Sequence, residues 1–395
     1  MKPRRLRDVD AFPVREGGRT WLALRDGEGY AAELVLLSPA EAMAASRFDG
    51  RRTPEEIARE LAGTDAERVR ALAKSLDERL LLDSPRFQRA ERAAKAAFRR
   101  AKSRPAWLAG RGYPGEPGPL AERLASWLPA APKAPAGRPT GIVAPHIDFT
   151  RGGTGYGWAY GELLGSSLPA LCVVIGVAHR TPPTPLVLAR KDFETPFGTV
   201  PLDAALAKEL QRGAPYDLRA DEWVHRSEHS AEFQAVWLAY GRRRLGGELR
   251  LLPLLASSYD LDGADPGART KAVLDRLAAL LEPVKDSLLL VAGIDLAHVG
   301  PRFGDAEPVD SARMARVEAQ DREALARLME QDAEGWLKSV SADGNARRVC
   351  GVSAAYAFSY LHRALFPAAR GTLLHWSHAA DPAGGEVSFA SAVFR

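Results

Sequence analysis

Cysteine is nearly absent: Cys172 and Cys350 are the only two in 395 residues, which excludes a disulfide-stapled secreted scaffold. No apolar run approaches the roughly 18 residues needed to cross a bilayer, so no transmembrane helix is expected. The N-terminus, MKPRRLRDVDAFPV, is basic but lacks the apolar core of a secretory signal, and a cytoplasmic location is expected. CxxC and HExxH motifs are missing as well, which removes the short-spacing zinc and metalloprotease classes. Gly152-Gly153 reads as close backbone approach and not as a phosphate loop, because neither Lys-Ser nor a GxGxxG pattern follows it. Ser353 in GVSAA half resembles a nucleophile elbow but lacks the final glycine, which argues against a serine hydrolase.

What is present falls into three zones. Residues 1–85 hold an apolar stretch, YAAELVLLS, followed by three helical patterns. In TPEEIARELAG, Thr53 is the expected N-cap and Pro54 the first helical residue; in the next pattern Val69, Leu72, Ala73, Leu76 and Leu80 form one stripe. A strand-and-three-helix module of winged-helix type is expected. Its run from DG-R-T-P-E-E-I to LLLD resembles the PqqD-like modules, which implies a peptide-holding role for residues 20 to 85.

Residues 86–104 carry eight Lys or Arg against one Glu and read as a basic helical linker. Without aromatic stacking residues or a recognition motif they do not point to nucleic acid. The remainder, 105–395, alternates strands and helices: GIVA, LCVVIGV, LVLAR, LRLLPLL, SLLLVAGI and SFASAVF are candidate strands, several continuously aliphatic as in a sheet covered on both faces. The expected fold is α/β, a central, mostly parallel sheet flanked by helices. Cys172 sits inside one such strand and reads as an inert core thiol.

Three of these strands deliver polar residues at their carboxyl ends. GIVA leads to His146 and Asp148, VVIGVA to His179, and LLLVAGI to Asp295 and His298. In a parallel sheet those ends share one edge, where α/β folds collect their chemistry. Cys350 precedes a helical pattern, and a thiol at a helix N-terminus is biased towards thiolate. Two imidazoles and a thiolate suit iron, copper or zinc, whereas scattered polar loop residues remain the bland alternative.

In order along the chain, APHIDFTRGG, VIGVAHRT, FETPFGTVPLD, SEHSAEFQAVWL, GIDLAHVGPRFG, VCGVSAAY and VSFASAVF resemble blocks of the Memo family. That family, whose prokaryotic members include the AmmeMemoRadiSam system protein B, is similar in fold to the class III extradiol dioxygenases. The resemblance implies a single transition metal, iron or copper favoured and zinc possible, bound by His146, His179 and Cys350. It implies His298 as a proton-moving residue beside substrate, with Asp295 orienting it, and a radical-SAM protein as partner by family association. The dioxygenases complete their site with a carboxylate, so the cysteine points away from ring cleavage. Two local departures stand out: Gly293-Ile294 precede Asp295 where the family has two serines, and Asp148 follows the first histidine.

Asp148 is expected either to orient His146 or to cap a turn, and His229 to stand behind the ligands or touch substrate. His225 reads as a solvent histidine; His375 and His378 read as surface residues flanking a turn. The expected function is a mononuclear metal-dependent redox enzyme or oxygenase acting on a small molecule or a peptide. A non-catalytic peptide- or metal-binding protein and a zinc hydrolase are the alternatives.

Overall fold

The computed structural model describes residues 2–31, 33–129, 137–257 and 267–395. The chain forms two compact units, Met1–Ala101 and Lys102–Arg395. Among the described residues, no helix is long and apolar enough to cross a membrane.

In the first unit, strands β1 (Asp10–Glu16), β2 (Arg19–Arg25) and β3 (Val35–Leu37) make an antiparallel sheet. Gly17 and Gly18 join β1 to β2 with φ of 57° and 75°, the left-handed pair that a two-residue hairpin needs. The sheet therefore has three strands where the sequence suggested one, and all of them precede the helices. Thr53 and Glu56 form the capping box of the helix Pro54–Glu60, and Val69, Leu72 and Leu76 are the buried stripe of Ala66–Glu78. Helix Pro85–Arg100 belongs to this unit, burying Phe87 and Phe98, which lie eleven residues or about three turns apart on one face. Arg7 stacks its guanidinium 3.8 Å from the Phe87 ring centre.

The second unit carries β4 (Ser103–Arg104), β5 (Gly141–Ala144), β6 (Leu171–Val177), β7 (Leu186–Leu188), β8 (Asp192–Phe193), β9 (Arg250–Ala256), β10 (Leu288–Gly293), β11 (His298–Val299), β12 (Gly371–Ala380) and β13 (Glu386–Phe394). Eight of these form one sheet in the order β11-β13-β5-β10-β6-β9-β7, with β12 also paired to β13. The inner strands β5, β10, β6 and β9 run parallel, while β13 and β7 pair antiparallel to β5 and β9. The result is a mixed α/β sheet with a parallel centre.

Alternate residues of the inner strands feed two apolar layers. Val143, Val173, Ile175 and Leu290 pack on the side of helices Ala268–Leu281 and Val352–Leu365. Ile142, Cys172, Val174 and Val291 face helices Phe149–Leu164 and His229–Leu245. Burial on both faces explains why these strands read as unbroken aliphatic runs. Cys172 is fully buried and its thiol is pushed far up by burial, as suits an inert core residue.

Two histidine assignments change. His225 is buried, not solvated, and its Nε2 lies 3.0 Å from the Val187 carbonyl oxygen. His375 and His378 do not flank a turn; both lie on β12, opposite Ser391 and Ser388 of β13.

The glycines after Asp148 sit inside helix Phe149–Leu164 and serve packing. A methyl group on Gly157 would lie 1.9 Å from the Trp127 carbonyl oxygen, and one on Gly153 2.2 Å from the Trp127 ring. Replacing glycine by alanine in a helix ordinarily gains about 1 kcal/mol, but here the new carbon meets backbone that cannot swing aside. Gly157→Ala is therefore expected to destabilise the chain by roughly 1–3 kcal/mol, read as a lower denaturant midpoint at unchanged slope. A midpoint equal to or above the wild type contradicts this packing.

Candidate metal centre

His146 follows β5 and is 1% exposed. Its backbone N–H donates to Asp295 Oδ1 at 2.9 Å, and its Nδ1 lies 2.9 Å from the Gly293 carbonyl oxygen. A carbonyl only accepts, so Nδ1 carries the ring proton and the lone pair of a neutral ring is on Nε2. Burial, aided by the neighbouring His179 and His229, holds this imidazole well below its usual pKa and hence neutral.

Nε2 of His146 lies 3.2 Å from Cys350 Sγ. Bond lengths of about 2.0–2.3 Å at a tetrahedral ion place neighbouring donor atoms roughly 3.3–3.8 Å apart, so this spacing is close to that of two ligands of one metal. The thiol is pushed above its usual pKa: burial outweighs the lowering effect of His179. The thiolate bias expected from the helix N-terminus is thus not what the site provides. An ion would have to displace the thiol proton.

His179 follows β6 and is set by Glu228. Its Nδ1 lies 3.0 and 3.1 Å from the two carboxylate oxygens, and its backbone N–H donates to the same group at 3.1 Å. Burial opposes a charge on this ring, but the Glu228 carboxylate prevails and lifts its pKa to about 11. Glu228 is itself the N-cap of helix His229–Leu245, accepting from the Ser230 N–H at 3.0 Å.

His229 opens that helix and stacks on His179 at 4.5 Å between ring centres, with His146 edge-on at 5.3 Å. Burial pushes its pKa down to about 4 despite the nearby Glu228 charge. Ligand atoms of His146, His179 and His229 all lie within 4.8 Å of one another, a group that can hold a metal ion. His229 therefore stands beside the ligands and not merely behind them.

Asp295 and His298 face the same cavity of about 290 Å3 as the three imidazoles. Burial raises the Asp295 carboxyl to about 7, against hydrogen bonds from the His146 and Ile147 N–H groups that lower it. His298 directs Nδ1 at the Leu296 carbonyl oxygen, 3.1 Å away, and burial lowers its pKa, leaving it neutral at pH 7. Its strand is tethered from below: the Ala297 N–H donates to Ser388 Oγ, which donates in turn to Asp321.

Asp148 takes the capping role. It accepts from the N–H groups of Thr150 and Arg151 at the start of helix Phe149–Leu164 and pairs with the Arg151 guanidinium, while His146 Nδ1 goes to Gly293. It still borders the cavity together with Arg151 and Asp381.

Residue patterns alone missed Glu228 and its support. Arg104, fully buried, donates to the carbonyl oxygens of His225 and Glu228 at 2.7 Å each and pairs with Glu232. Glu232 also accepts from the Trp107 and Leu108 N–H groups and from Tyr113. The available signal was the pair Glu228 and Glu232, four apart at the mouth of an otherwise apolar helix.

The family model described as Memo-like protein matches residues 104–393. A MEMO1 family protein of Aquifex aeolicus is 28% identical over 335 residues, covering 83% of this chain and 82% of the relative. Another, from Thermus thermophilus, is 30% identical over 281 residues, covering 71% and 79%. Among solved structures, an uncharacterized protein of Escherichia coli K12 aligns over 65% of this chain and 99% of its own at 16% identity and a TM-score of 0.38.

Glu228 fixes the Nδ1 side of His179, which leaves Nε2 to a metal. Glu228→Ala is expected to lower metal affinity about 10- to 100-fold, measured by competition with a chromophoric chelator. Unchanged affinity in a folded variant shows that the carboxylate does not orient a ligand.

Proposed function

The chain belongs to the Memo family, and from that premise we propose that it is a mononuclear transition-metal enzyme of redox type, its ion held by His146, His179 and Cys350. The observation that carries this reading is the fixed tautomer of His146, which aims an Nε2 lone pair at the space shared with Cys350 Sγ and the other two imidazoles. His229 is the fourth donor within reach, or the third if the thiol stays protonated. Mixed nitrogen and sulfur donors favour iron, copper or zinc over the hard alkaline-earth ions.

A redox-active ion in this position supplies electron transfer and an open coordination position for a small ligand. The residues of the chain do the rest. Glu228 and the Gly293 carbonyl hold the two strand-end imidazoles in orientation. Asp295 holds the His146 backbone and thereby the loop after β5. His298, neutral at pH 7, takes or returns a substrate proton through Nε2, the nitrogen opposite the one that faces Leu296. The substrate class is a small molecule or a peptide; the likeness of residues 20 to 85 to PqqD-like modules supports the peptide, which such a module would keep at high local concentration.

Two measurements test the reading. Anaerobic reconstitution is expected to load about one iron or copper per chain by elemental analysis, and His146→Ala to abolish loading. Full loading of that variant ends the assignment. Iron-loaded protein is expected to consume oxygen where zinc-loaded protein does not, and His298→Gln to keep its metal while losing that consumption. Activity confined to the zinc form replaces the redox reading with hydrolysis.

The third ligand is decided by protons. At pH 7 His179 is held protonated and the Cys350 thiol is not ionised, so binding to both displaces about two protons and apparent affinity climbs as pH rises. Calorimetric titration in buffers of different ionisation enthalpy is expected to give about two released protons for the wild type and about one for Cys350→Ala. An equal count in the two proteins assigns the third position to His229.

A further inference from the structure

His298 reaches the cavity from a very short strand: β11 spans two residues, His298–Val299, at the end of the sheet. Two ladder positions fix a side chain poorly. The turn that leads into β11 is nonetheless bonded residue by residue. The Leu296 N–H donates to the Ser388 carbonyl oxygen at 2.8 Å, the Ala297 N–H to Ser388 Oγ at 2.9 Å and the His298 N–H to the Arg347 carbonyl oxygen at 2.7 Å. The Ser388 N–H returns to the Ala297 carbonyl oxygen at 2.9 Å. Residue 296, held in this way, carries the carbonyl oxygen that faces the His298 Nδ1.

Both supports meet at one carboxylate. Asp321, on helix Ser311–Met329, is fully buried. Its Oδ2 accepts from Ser388 Oγ at 2.5 Å and from Trp376 Nε1 at 3.2 Å, while Oδ1 lies 3.3 Å from Nε of the buried Arg347. Three donors converge on a group that only accepts when ionised. Burial pushes this carboxyl up, and Ser388, Arg347 and Trp376 oppose that rise. A closed circuit results, from Asp321 through Ser388 to Ala297 and His298, and back through Arg347.

The neighbouring Arg348 reinforces the same point from outside. Its Nη1 donates to the His298 carbonyl oxygen at 3.3 Å and its Nη2 to Asp305 at 2.6 Å. Arg348 does so with φ of 54°, a left-handed backbone that is uncommon for a residue with a side chain and persists where its surroundings over-determine it. A buried ion pair adds little net stability over apolar side chains of equal size, and neither Asp321 nor Arg347 lines the cavity of the three imidazoles. What the pair supplies is a fixed geometry for the segment beside it.

We propose that Asp321 is a positioning residue: through Ser388 on one side and Arg347 on the other it fixes residues 296–298, and with them the aim of the His298 ring into the cavity. Its role rests on His298 as the proton-moving residue of the proposed function, but it requires no bound metal. An asparagine at 321 would bring an amide N–H2 to a place where three donors already meet, so one of them must turn away.

The test uses the metal-free full chain with 15N- and 13C-labelled histidine rings, His298 being assigned by its loss in His298→Gln. In the wild type His298 is expected to give one neutral ring signal with the proton on Nδ1. In Asp321→Asn that signal is expected to move towards the average of the two tautomers, as the bond to the Leu296 carbonyl is lost, while His146, His179 and His229 keep theirs. Iron-loaded Asp321→Asn is expected to retain about one ion per chain and to lose oxygen consumption about 10- to 100-fold in kcat, with KM for oxygen unchanged. Ser388→Ala cuts one arm only and is expected to shift His298 in the same direction by less; it decides the matter if Asp321→Asn does not fold. A His298 signal unchanged in the folded variants overturns the proposal, as does a shift shared equally by all the rings, which marks a general loosening of the fold. A wild type that consumes no oxygen ends the redox reading alone, because the ring signals still decide what holds His298.

Discussion

Everything at the candidate centre hangs from the parallel pairing of β10 between β5 and β6. Gly293 is level with Ala144, and Ala292 with Ile175, so three separate chain segments leave the sheet at one edge. His146 and Asp295 each lie two residues past the paired Ala144 and Gly293, which is why the backbone N–H of one reaches the carboxylate of the other. The same register puts the Gly293 carbonyl under His146 Nδ1. A shift of one residue would turn the side chains to the opposite face and disperse the donors. Continuous aliphatic packing on both faces of these strands is what fixes that register, so the large apolar core and the small polar site are one construction.

A second layer of constraint is electrostatic. Glu228 and Glu232 are buried carboxylates, and burying such groups is unfavourable unless each is matched. Glu232 is matched by Arg104, Tyr113 and two backbone N–H groups; Glu228 by His179 and the Ser230 N–H. Arg104 joins the two by holding the Glu228 carbonyl as well. These interactions gain little net stability, but they leave the start of helix His229–Leu245 a single position. That position presents Glu228 to one imidazole and His229 beside it.

Much of the architecture could be read from the chain because it rests on local pattern. The runs GIVA, LCVVIGV and SLLLVAGI became strands nearly to the residue, and Thr53 and Glu56 made their capping box. His146, His179, Asp295, His298 and Cys350 were found at strand ends and a helix start, and they do gather. What pattern could not carry was pairing across distance. Glu228 is 49 residues from His179, and nothing within SEHSAEF shows which ring it faces. Strand β12 escaped notice because its residues are half-exposed and lack a clean alternation. That the basic helix packs with the first unit was hard to see because its two buried phenylalanines are outnumbered by exposed arginines.

The state of Cys350 shows how two physical effects were weighed wrongly from sequence. A helix N-terminus stabilises a negative charge by about 0.3–1 kcal/mol, under one pKa unit, whereas desolvation in a half-buried pocket can move a thiol further. Burial wins, and the thiol keeps its proton. With Nδ1 of His146 committed as donor to Gly293, the thiol is left to donate to Nε2, across the 3.2 Å that an ion would bridge. On the proposed ligand set, a proton and a transition metal would compete for the same sulfur and nitrogen lone pairs. The proton leaves the pair neutral and desolvated; a divalent ion compensates the thiolate with its own charge and adds bonds to His179 or His229. Such a site would resist hard cations, which repay the loss of the sulfur proton poorly, and would yield to soft or borderline ones. Under the proposed function, selectivity would arise from that exchange as much as from the spacing of the donors.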